Sequence, residues 1–172
     1  LNDISVGEFR TQLGGSHHEY GRRLLQSPNG DYLVLATTQS REITPALDNG
    51  TDPWLLRLSN SGKVLHEYVL TEGNASPRDI IESSDGHIYL VTSDWSAKNS
   101  TLTKLTSTLE LVWSAEVKPN DSTERFNLDR IIEVDGELLA TGAQWLTTGN
   151  SSTIDSWMLL TLSMESGEII TN

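Results

Sequence analysis

The feature that most constrains this chain is a hairpin signal that occurs three times. Asn29-Gly30, Asp85-Gly86 and Asp135-Gly136 are each preceded and followed by a short apolar segment. Their glycines are 56 and then 50 residues apart. Asn-Gly and Asp-Gly favour the positive φ angles of tight turns that join antiparallel strands. Each signal therefore predicts a β-hairpin.

Two more strands follow every hairpin. The third and fourth strands are predicted at 53–59 and 62–70, at 101–107 and 109–117, and at 157–163 and 167–172. Apolar residues in these segments alternate or cluster in short runs, which argues against helices. Four short strands repeated at a spacing near 50 residues are typical of propeller blades. We predict an all-β fold, a β-propeller-like array of about three four-stranded antiparallel blades.

The repeat also predicts the organisation of the chain as a single repeat domain. Residues 1–16 supply the last strand of a preceding blade, and the three blades span 17–72, 73–119 and 120–172. The chain begins and ends in the same phase of the repeat, and three blades leave two sheet faces uncovered. We expect an incomplete ring, completed by further propeller repeats or by self-association; an open stack of blade-like sheets is the alternative.

The first unit has the strongest sequence signature. It contains Gly14-Gly15-Ser16, Gly21, Asn29-Gly30, Tyr32 and Ser40, followed by Asp52, Trp54 to Leu58 and Gly62. In this order the residues resemble the repeats of secreted bacterial cell-surface propeller proteins. The second and third units keep the Asp-Gly turn and the apolar strands but lose the Gly-Gly-Ser opening. The resemblance implies the propeller fold and a secreted location, and it brings no catalytic motif.

The charge of the chain restricts its partners. The formal net charge is −12, from 24 acidic and 12 basic residues, without a basic run. Such a surface repels phosphate backbones and anionic lipid headgroups, so we expect no nucleic-acid binding. No apolar stretch is long enough for membrane insertion. The absence of cysteine excludes disulfides, thiolate metal sites and cysteine nucleophiles.

Five Asn-x-Ser/Thr motifs are candidate N-glycosylation sites. Their asparagines are Asn49, Asn74, Asn99, Asn120 and Asn150. Asn49, Asn99 and Asn150 recur at intervals of 50 and 51 residues, in the predicted loop between the second and third strands. Recurrence at one corner of each blade favours glycans there and an extracellular or cell-surface location. The alternative is that Asn, Ser and Thr recur because they form loops.

Motifs for metal or catalytic chemistry are weak. His17 and His18 are adjacent, so on a strand they point to opposite faces and cannot chelate together. Residues 48–52 are oxygen-rich but too short for an EF-hand loop and lack its terminal Glu. The chain contains neither a G-x-S-x-G elbow nor a phosphate loop. We predict a protein without metal, cofactor or enzymatic activity.

The five tryptophans fall into two groups by position. Trp54, Trp113 and Trp157 lie on predicted strands, where we expect them to pack between blades. Trp95 and Trp145 follow the second strand of their units and are candidate ligand contacts on a propeller face. Strand-end aromatic residues more often cap a core, which is the alternative for both.

Three functions remain open on the sequence. The leading hypothesis is a non-enzymatic, secreted or cell-surface propeller module, glycosylated, that serves as a scaffold, an adhesive or a structural subunit of an extracellular assembly. A polysaccharide-acting propeller enzyme would place carboxylates at the axis, and the candidates after the first strands are Gln26, Glu82 and Glu133. A lectin-like module would bind glycans through Trp95 and Trp145.

Overall fold

The fold is built from antiparallel β-sheets. A computed structural model describes residues 9–40, 42–43, 51–70, 75–94, 99–118, 125–148 and 151–170. The strands in these ranges are β1 Glu19–Gln26, β2 Tyr32–Thr38, β3 Asp52–Leu58, β4 Val64–Val69, β5 Ala75–Glu82, β6 Ile88–Asp94, β7 Asn99–Leu105, β8 Leu111–Val117, β9 Arg125–Val134, β10 Glu137–Thr148 and β11 Ser151–Leu162. Within the same ranges, no helix is long and apolar enough to cross a membrane.

The strands form three sheets in chain order. Sheet I contains β1 to β4, sheet II contains β5 to β8, and sheet III contains β9 to β11. Each strand pairs with its sequence neighbour, because the short turns between them return the chain antiparallel. The all-β prediction is confirmed.

Sheet III has one strand fewer than predicted. A fourth strand was expected at 167–172, but in the described part of this segment only Ile169 pairs with β11, as an isolated bridge to Leu162. The Ile170 N–H donates to the Thr161 carbonyl in the same place. Residues 9–13, predicted as part of another fourth strand, have no strand pairing either. The prediction of a regular fourth strand at 167–172 is wrong for its described residues. The assignment of residues 1–16 to a preceding blade stays a prediction.

The three hairpin turns lie at the Asn-Gly and Asp-Gly positions, as predicted. Gly30, Gly86 and Gly136 have φ angles of 90°, 79° and 81°. Asp135, with φ of 52°, precedes Gly136, and two consecutive positive φ angles define the tight turn that Asp-Gly favours. In sheets I and II the turn is wider, because five residues separate the paired strands.

A bulge interrupts the first strand of every sheet at a similar place. The pairing skips Arg22 in β1, Arg78 in β5 and Asp129 in β9. An extra residue in one strand bends it and increases the local twist. The bulges therefore bring the first strands of neighbouring sheets together, and β5 contacts both β1 and β9.

Two apolar clusters hold the sheets face to face. Leu33, Leu35 and Leu55 of sheet I pack with Ile80 and Leu90 of sheet II. On the other side of sheet II, Tyr89, Val91, Leu102 and Val117 pack with Phe126, Leu128, Ile131, Leu138, Ala140 and Leu162 of sheet III. Each fully buried side chain of this size contributes about 2 kcal/mol relative to exposure. The order of the sheets in space is therefore I, II, III.

A third cluster covers the side of sheet I that faces away from sheet II. Trp54, Leu56 and Leu58 form it, with Leu13 packed against them. The ring of Phe9 lies 5.7 Å from that of Tyr32. The segment 9–13 thus closes part of this side of sheet I.

Candidate functional site

An exposed apolar surface lies on the side of sheet III that faces away from sheet II. Trp157 is 68% exposed, and Ile132, Val134 and Leu159 are also exposed. Leu159 pairs with Thr141 of β10, and Thr141 pairs with Arg130 of β9, two residues before Ile132. Because alternate residues of a strand share one side, all four side chains lie on the same side of the sheet. Contiguous apolar patches on a protein surface mark interaction sites. We call these four residues the third-sheet face.

An apolar cleft lies at the opposite end of the stack, on sheet I. It has a volume of about 670 Å³, and its apolar lining includes Phe9, Leu13, Leu24, Val34 and Leu58. Leu24 is exposed on its wall. Segment 9–13 lines one side of this cleft, and β1 also contributes to its lining. We call it the first-sheet cleft.

A polar seam joins sheets I and II at their turns. Arg57 of β3 is only 5% exposed, and its Nη1 donates to the Ser107 carbonyl of sheet II at 2.7 Å. Its Nη2 donates to Ser27 Oγ at 3.0 Å and to Glu82 Oε1 at 2.8 Å. Its Nε donates to Asp31 at 3.3 Å. The guanidinium thus fixes two sheets through charge-assisted bonds to four partners.

A similar seam joins sheets II and III. Lys104 Nζ donates to the Met164 carbonyl of sheet III at 3.1 Å and to Asp85 at 3.3 Å. It also lies 5.2 Å from the ring centre of Tyr89, whose hydroxyl donates to the same Met164 carbonyl. Partial burial acts to lower the pKa of Lys104, but Tyr89 and Asp85 raise it above its usual value. The ammonium therefore stays charged in the seam.

Asp85 makes the contribution of this seam to folding stability depend on pH in the acidic range. Partial burial acts to raise its pKa, but hydrogen bonds from Ser83 and the His87 N–H, together with Lys104, lower it to about 2. A depressed carboxyl pKa stabilises the folded chain above about pH 4 and loses that contribution as the pH falls through about 2. Asp85→Asn should abolish this loss, which we expect to be about 1 kcal/mol in the wild type because the side chain is partly exposed.

The measurement is the free energy of unfolding in urea at pH 4 and pH 2, for the wild type and Asp85→Asn. A larger acid loss in the wild type supports the assignment. Equal losses in both proteins would show that Asp85 does not contribute.

One carboxylate is buried where the first strands meet. Asp79 of β5 is fully buried, and its Oδ1 lies 2.7 Å from Arg23 Nε of sheet I. The Ile131 N–H of sheet III donates to its Oδ2 at 3.0 Å, and the Ile80 N–H donates to Oδ1. Because burying a charge is costly unless it is paired, these bonds fix the position of Asp79 between its neighbours.

The three candidate axial residues lie at matching places in the sheets. Gln26 pairs with Tyr32, Glu82 with Ile88, and Glu133 with Leu138. Glu82 accepts from Arg57, and Glu133 accepts from the N–H of Ser84 at 2.7 Å. Both carboxylates are thus bonded to the preceding sheet.

Only one of the candidate glycosylation sites is described by the structure. Asn99 is the first residue of β7, paired with Asp94, although a loop position was expected. Its Nδ2, the atom to which a glycan would be attached, donates a hydrogen bond to Glu116. Asn49, Asn74, Asn120 and Asn150 lie outside the described residues.

The tryptophans do not all lie where they were expected. Trp113 packs against the cluster between sheets II and III, 6.1 Å from the ring of Tyr89, as predicted. Trp54 is buried on the outer side of sheet I, and Trp157 is exposed on the third-sheet face, so neither packs between two sheets of this chain. The physical reason is that each lies on an outer side of the stack.

The assignment of Trp95 and Trp145 as ligand contacts stays a prediction. Trp145 lies inside β10, paired with Ile154 and Arg125, because this strand continues to Thr148. Its Nε1 is buried without a hydrogen-bond partner in the described chain. Trp95 lies outside the described residues.

The histidines do not form a metal site within the described residues. His17 contacts Ser16, and His18 stacks on Tyr20. His87 Nδ1 lies 3.0 Å from Asp85. Across the described ranges, no three His, Asp or Glu side chains come together as metal ligands.

The seams were missed by sequence reasoning. Arg57 and Lys104 each occupy the second-last position of a third strand, and each is the one basic residue of its strand. A cation at the same place in two buried strands is a signal that could have indicated them. Asp79 gave no such signal, because its partners Arg23 and Ile131 lie more than 50 residues away along the chain.

Comparisons with known proteins give little on function. No family model matches the sequence, and no curated protein matches it. Among solved structures, the chain is similar to a protein of unknown function from Bacteroides caccae. The identity is 11% and the TM-score 0.48, over 92% of this chain and 68% of that chain. These comparisons supply no activity, substrate or partner.

Proposed function

We propose that this chain is a non-enzymatic module of a secreted or cell-surface β-propeller-like protein. It serves as a scaffold, an adhesive or a structural subunit of a larger extracellular assembly. The observation that carries this proposal is the third-sheet face, where Trp157, Leu159, Ile132 and Val134 are exposed together. Exposed apolar patches of this kind mark surfaces at which another molecule or domain binds.

Corresponding bulges and seams support a blade-like repeat. Besides the bulges in the first strands, the pairing of third and fourth strands skips Leu65 in sheet I and Val112 in sheet II. The two seams also correspond, since Arg57 and Lys104 each donate to a carbonyl in the turn after the third strand of the next sheet. Units that repeat such local detail stack through the same type of contact.

The engagement of the carboxylates favours a structural role over catalysis. Glu82 and Glu133 accept hydrogen bonds from the preceding sheet, and each contributes to holding two sheets together. A catalytic pair for glycoside chemistry would have to contact substrate instead.

Glycosylation is part of the proposal. Asn49, Asn99 and Asn150 would carry glycans at equivalent corners of the units, and Asn74 and Asn120 are further sites. The hydrogen bond from Asn99 to Glu116 is compatible with a glycan, because an N-linked amide keeps one N–H.

The test is fractionation of cells from the natural source, followed by mass spectrometry of the recovered protein. We expect the protein in the extracellular or surface fraction, in a particle heavier than the 19.0 kDa chain. Peptides containing Asn49, Asn99 and Asn150 should have hexose additions. Recovery from the cytosol as an unmodified, isolated chain would contradict the proposal.

A further inference from the structure

We propose that the first-sheet cleft binds a small organic anion with an apolar body, such as a medium-chain carboxylate. Such a site goes beyond the proposed function, because it depends neither on the location of the protein nor on what it assembles with. Three features of the cleft select this ligand chemistry: its apolar lining, an unpaired cation at its wall and open space beside that cation.

The cleft has the size and the lining of a small-molecule site. Its volume of about 670 Å³ lies within the range of about 300–1,000 Å³ that such sites have. Leu13, Tyr32, Val34 and Leu58, which belong to the cluster on the outer side of sheet I, contribute to the lining. Leu24 is 63% exposed on its wall. An apolar molecule in the cleft would remove these side chains from water, so the lining favours an apolar ligand body.

The charged residues of the cleft are cations. Arg22 and Arg23 both line it, and none of the described lining residues is acidic, although the chain has 24 acidic and 12 basic residues. Arg23 is already ion-paired with Asp79 at 2.7 Å. Arg22 is exposed, and within the described ranges its guanidinium has neither an ion-pair partner nor a hydrogen-bond acceptor. Arg22 is therefore free to bind the anionic group of a ligand.

The bulge in β1 places this cation beside open space. Gly21 and Arg23 pair with successive residues of β2, so Arg22 is the extra residue of the bulge and has no partner in the ladder. Bulges re-aim side chains in this way. A Cβ added to Gly21, which also lines the cleft, would meet no atom within 4 Å apart from its chain neighbours. A ligand body over Gly21 would thus have its anionic end next to Arg22.

The negative charge of the whole chain does not prevent binding of a small anion. The formal net charge is −12, which opposes the approach of large polyanions. At physiological ionic strength, however, charges are screened over about 8 Å. A monoanion in the cleft would therefore interact mainly with Arg22 and Arg23. A neutral apolar ligand would leave Arg22 unpaired, and inorganic phosphate would leave the apolar lining uncovered.

The experiment compares two fluorescent probes that share one apolar ring system. Anilinonaphthalene sulfonate has an anionic sulfonate, and phenylnaphthylamine is the same ring system without it. Both probes are titrated against the purified chain by fluorescence. Decanoate, kept below its micelle concentration, is then added as a competitor. We expect both probes to bind the wild type and decanoate to displace them.

Arg22→Gln tests the role of the cation. This variant should bind the sulfonate probe about three- to tenfold more weakly, because that probe loses a charge-assisted contact. Its affinity for the neutral probe should change by less than about twofold. Arg78→Gln is the matched control, since Arg78 is the extra residue of the corresponding bulge in β5 and does not line the cleft. It makes the same change in net charge and should leave both affinities unchanged.

Gly21→Phe tests the role of the space. Gly21 does not have a positive φ, and its Cβ position is open, so a side chain can enter the cleft without displacing other atoms. An aromatic residue is also favourable on a strand. This variant should remain folded and should bind neither probe at concentrations that saturate the wild type. If it fails to fold, the comparison of Arg22→Gln with Arg78→Gln still decides.

Three outcomes would overturn the proposal. Equal effects of Arg22→Gln on the two probes, or failure of decanoate to compete, would show that the cleft does not recognise an anionic group. Probe binding that is lost in Trp157→Ser and kept in Gly21→Phe would show that the probes bind the third-sheet face. A wild type that binds neither probe would mean that the cleft is closed to small molecules. None of these outcomes bears on the cellular location or particle mass, so the proposed function is tested separately.

Discussion

Arg57→Met is expected to lower the free energy of unfolding by about 3–4 kcal/mol. Removing one partner of a buried ion pair leaves the other charge uncompensated. Here the uncompensated charge is the carboxylate of Glu82. The Ser107 carbonyl and Ser27 would also lose donors. Urea unfolding followed by fluorescence or circular dichroism gives the change in midpoint and slope.

A double variant identifies the cause. Arg57→Met combined with Glu82→Gln removes the uncompensated charge of Glu82. The double variant should recover about 1–2 kcal/mol of the lost unfolding free energy, because the two residues are directly coupled. Lys118→Met is the matched control, since Lys118 and Glu116 form an exposed pair worth less than about 1 kcal/mol. An Arg57→Met protein as stable as the wild type would show that the seam does not hold the sheets together.

Asp79→Ala is expected to destabilise the chain by about 3 kcal/mol. The substitution leaves the buried Ile131 N–H without its acceptor, and it removes the anionic partner of Arg23. An unsatisfied buried donor costs about 1–3 kcal/mol, and loss of the ion pair adds to this. The same urea titration measures the effect.

Two further variants serve as controls for this prediction. Asp79→Asn keeps one carbonyl acceptor, so it should lose roughly half as much stability as Asp79→Ala. Asp129→Ala removes a carboxylate that is half exposed and 3.8 Å from Arg78, and it should change stability by less than about 0.5 kcal/mol. Similar losses for Asp79→Ala and Asp129→Ala would mean that burial of the carboxylate is unimportant.

Most strands could be predicted from local sequence. Turn chemistry depends on adjacent residues, and the positive φ angles of Gly30, Gly86 and Gly136 are what Asn-Gly and Asp-Gly favour. Alternation and short apolar runs then identify the flanking strands. The same local rules predicted a regular strand at 167–172, but the described residues of this segment make only one isolated bridge.

The contacts between sheets could not be predicted in the same way. Arg23 and Asp79 are far apart in the chain, and the apolar pairs that follow them predict strands but not that the two side chains meet. The exposure of Trp157 depends on whether another sheet lies beyond sheet III, which strand patterns do not encode. Sequence therefore identifies the elements more readily than the surfaces they leave open.

The position of Asp79 has a consequence for the cooperativity of unfolding. In stacked units the end units can fray separately, because each contacts only its neighbours. Asp79 of the middle sheet, however, is ion-paired with Arg23 on one side and accepts a hydrogen bond from the Ile131 N–H on the other. If sheet I separates, the carboxylate loses its cation while still buried against sheet III, and the second interface weakens too. We therefore expect Asp79 to couple the two interfaces, so that the three sheets unfold in one transition.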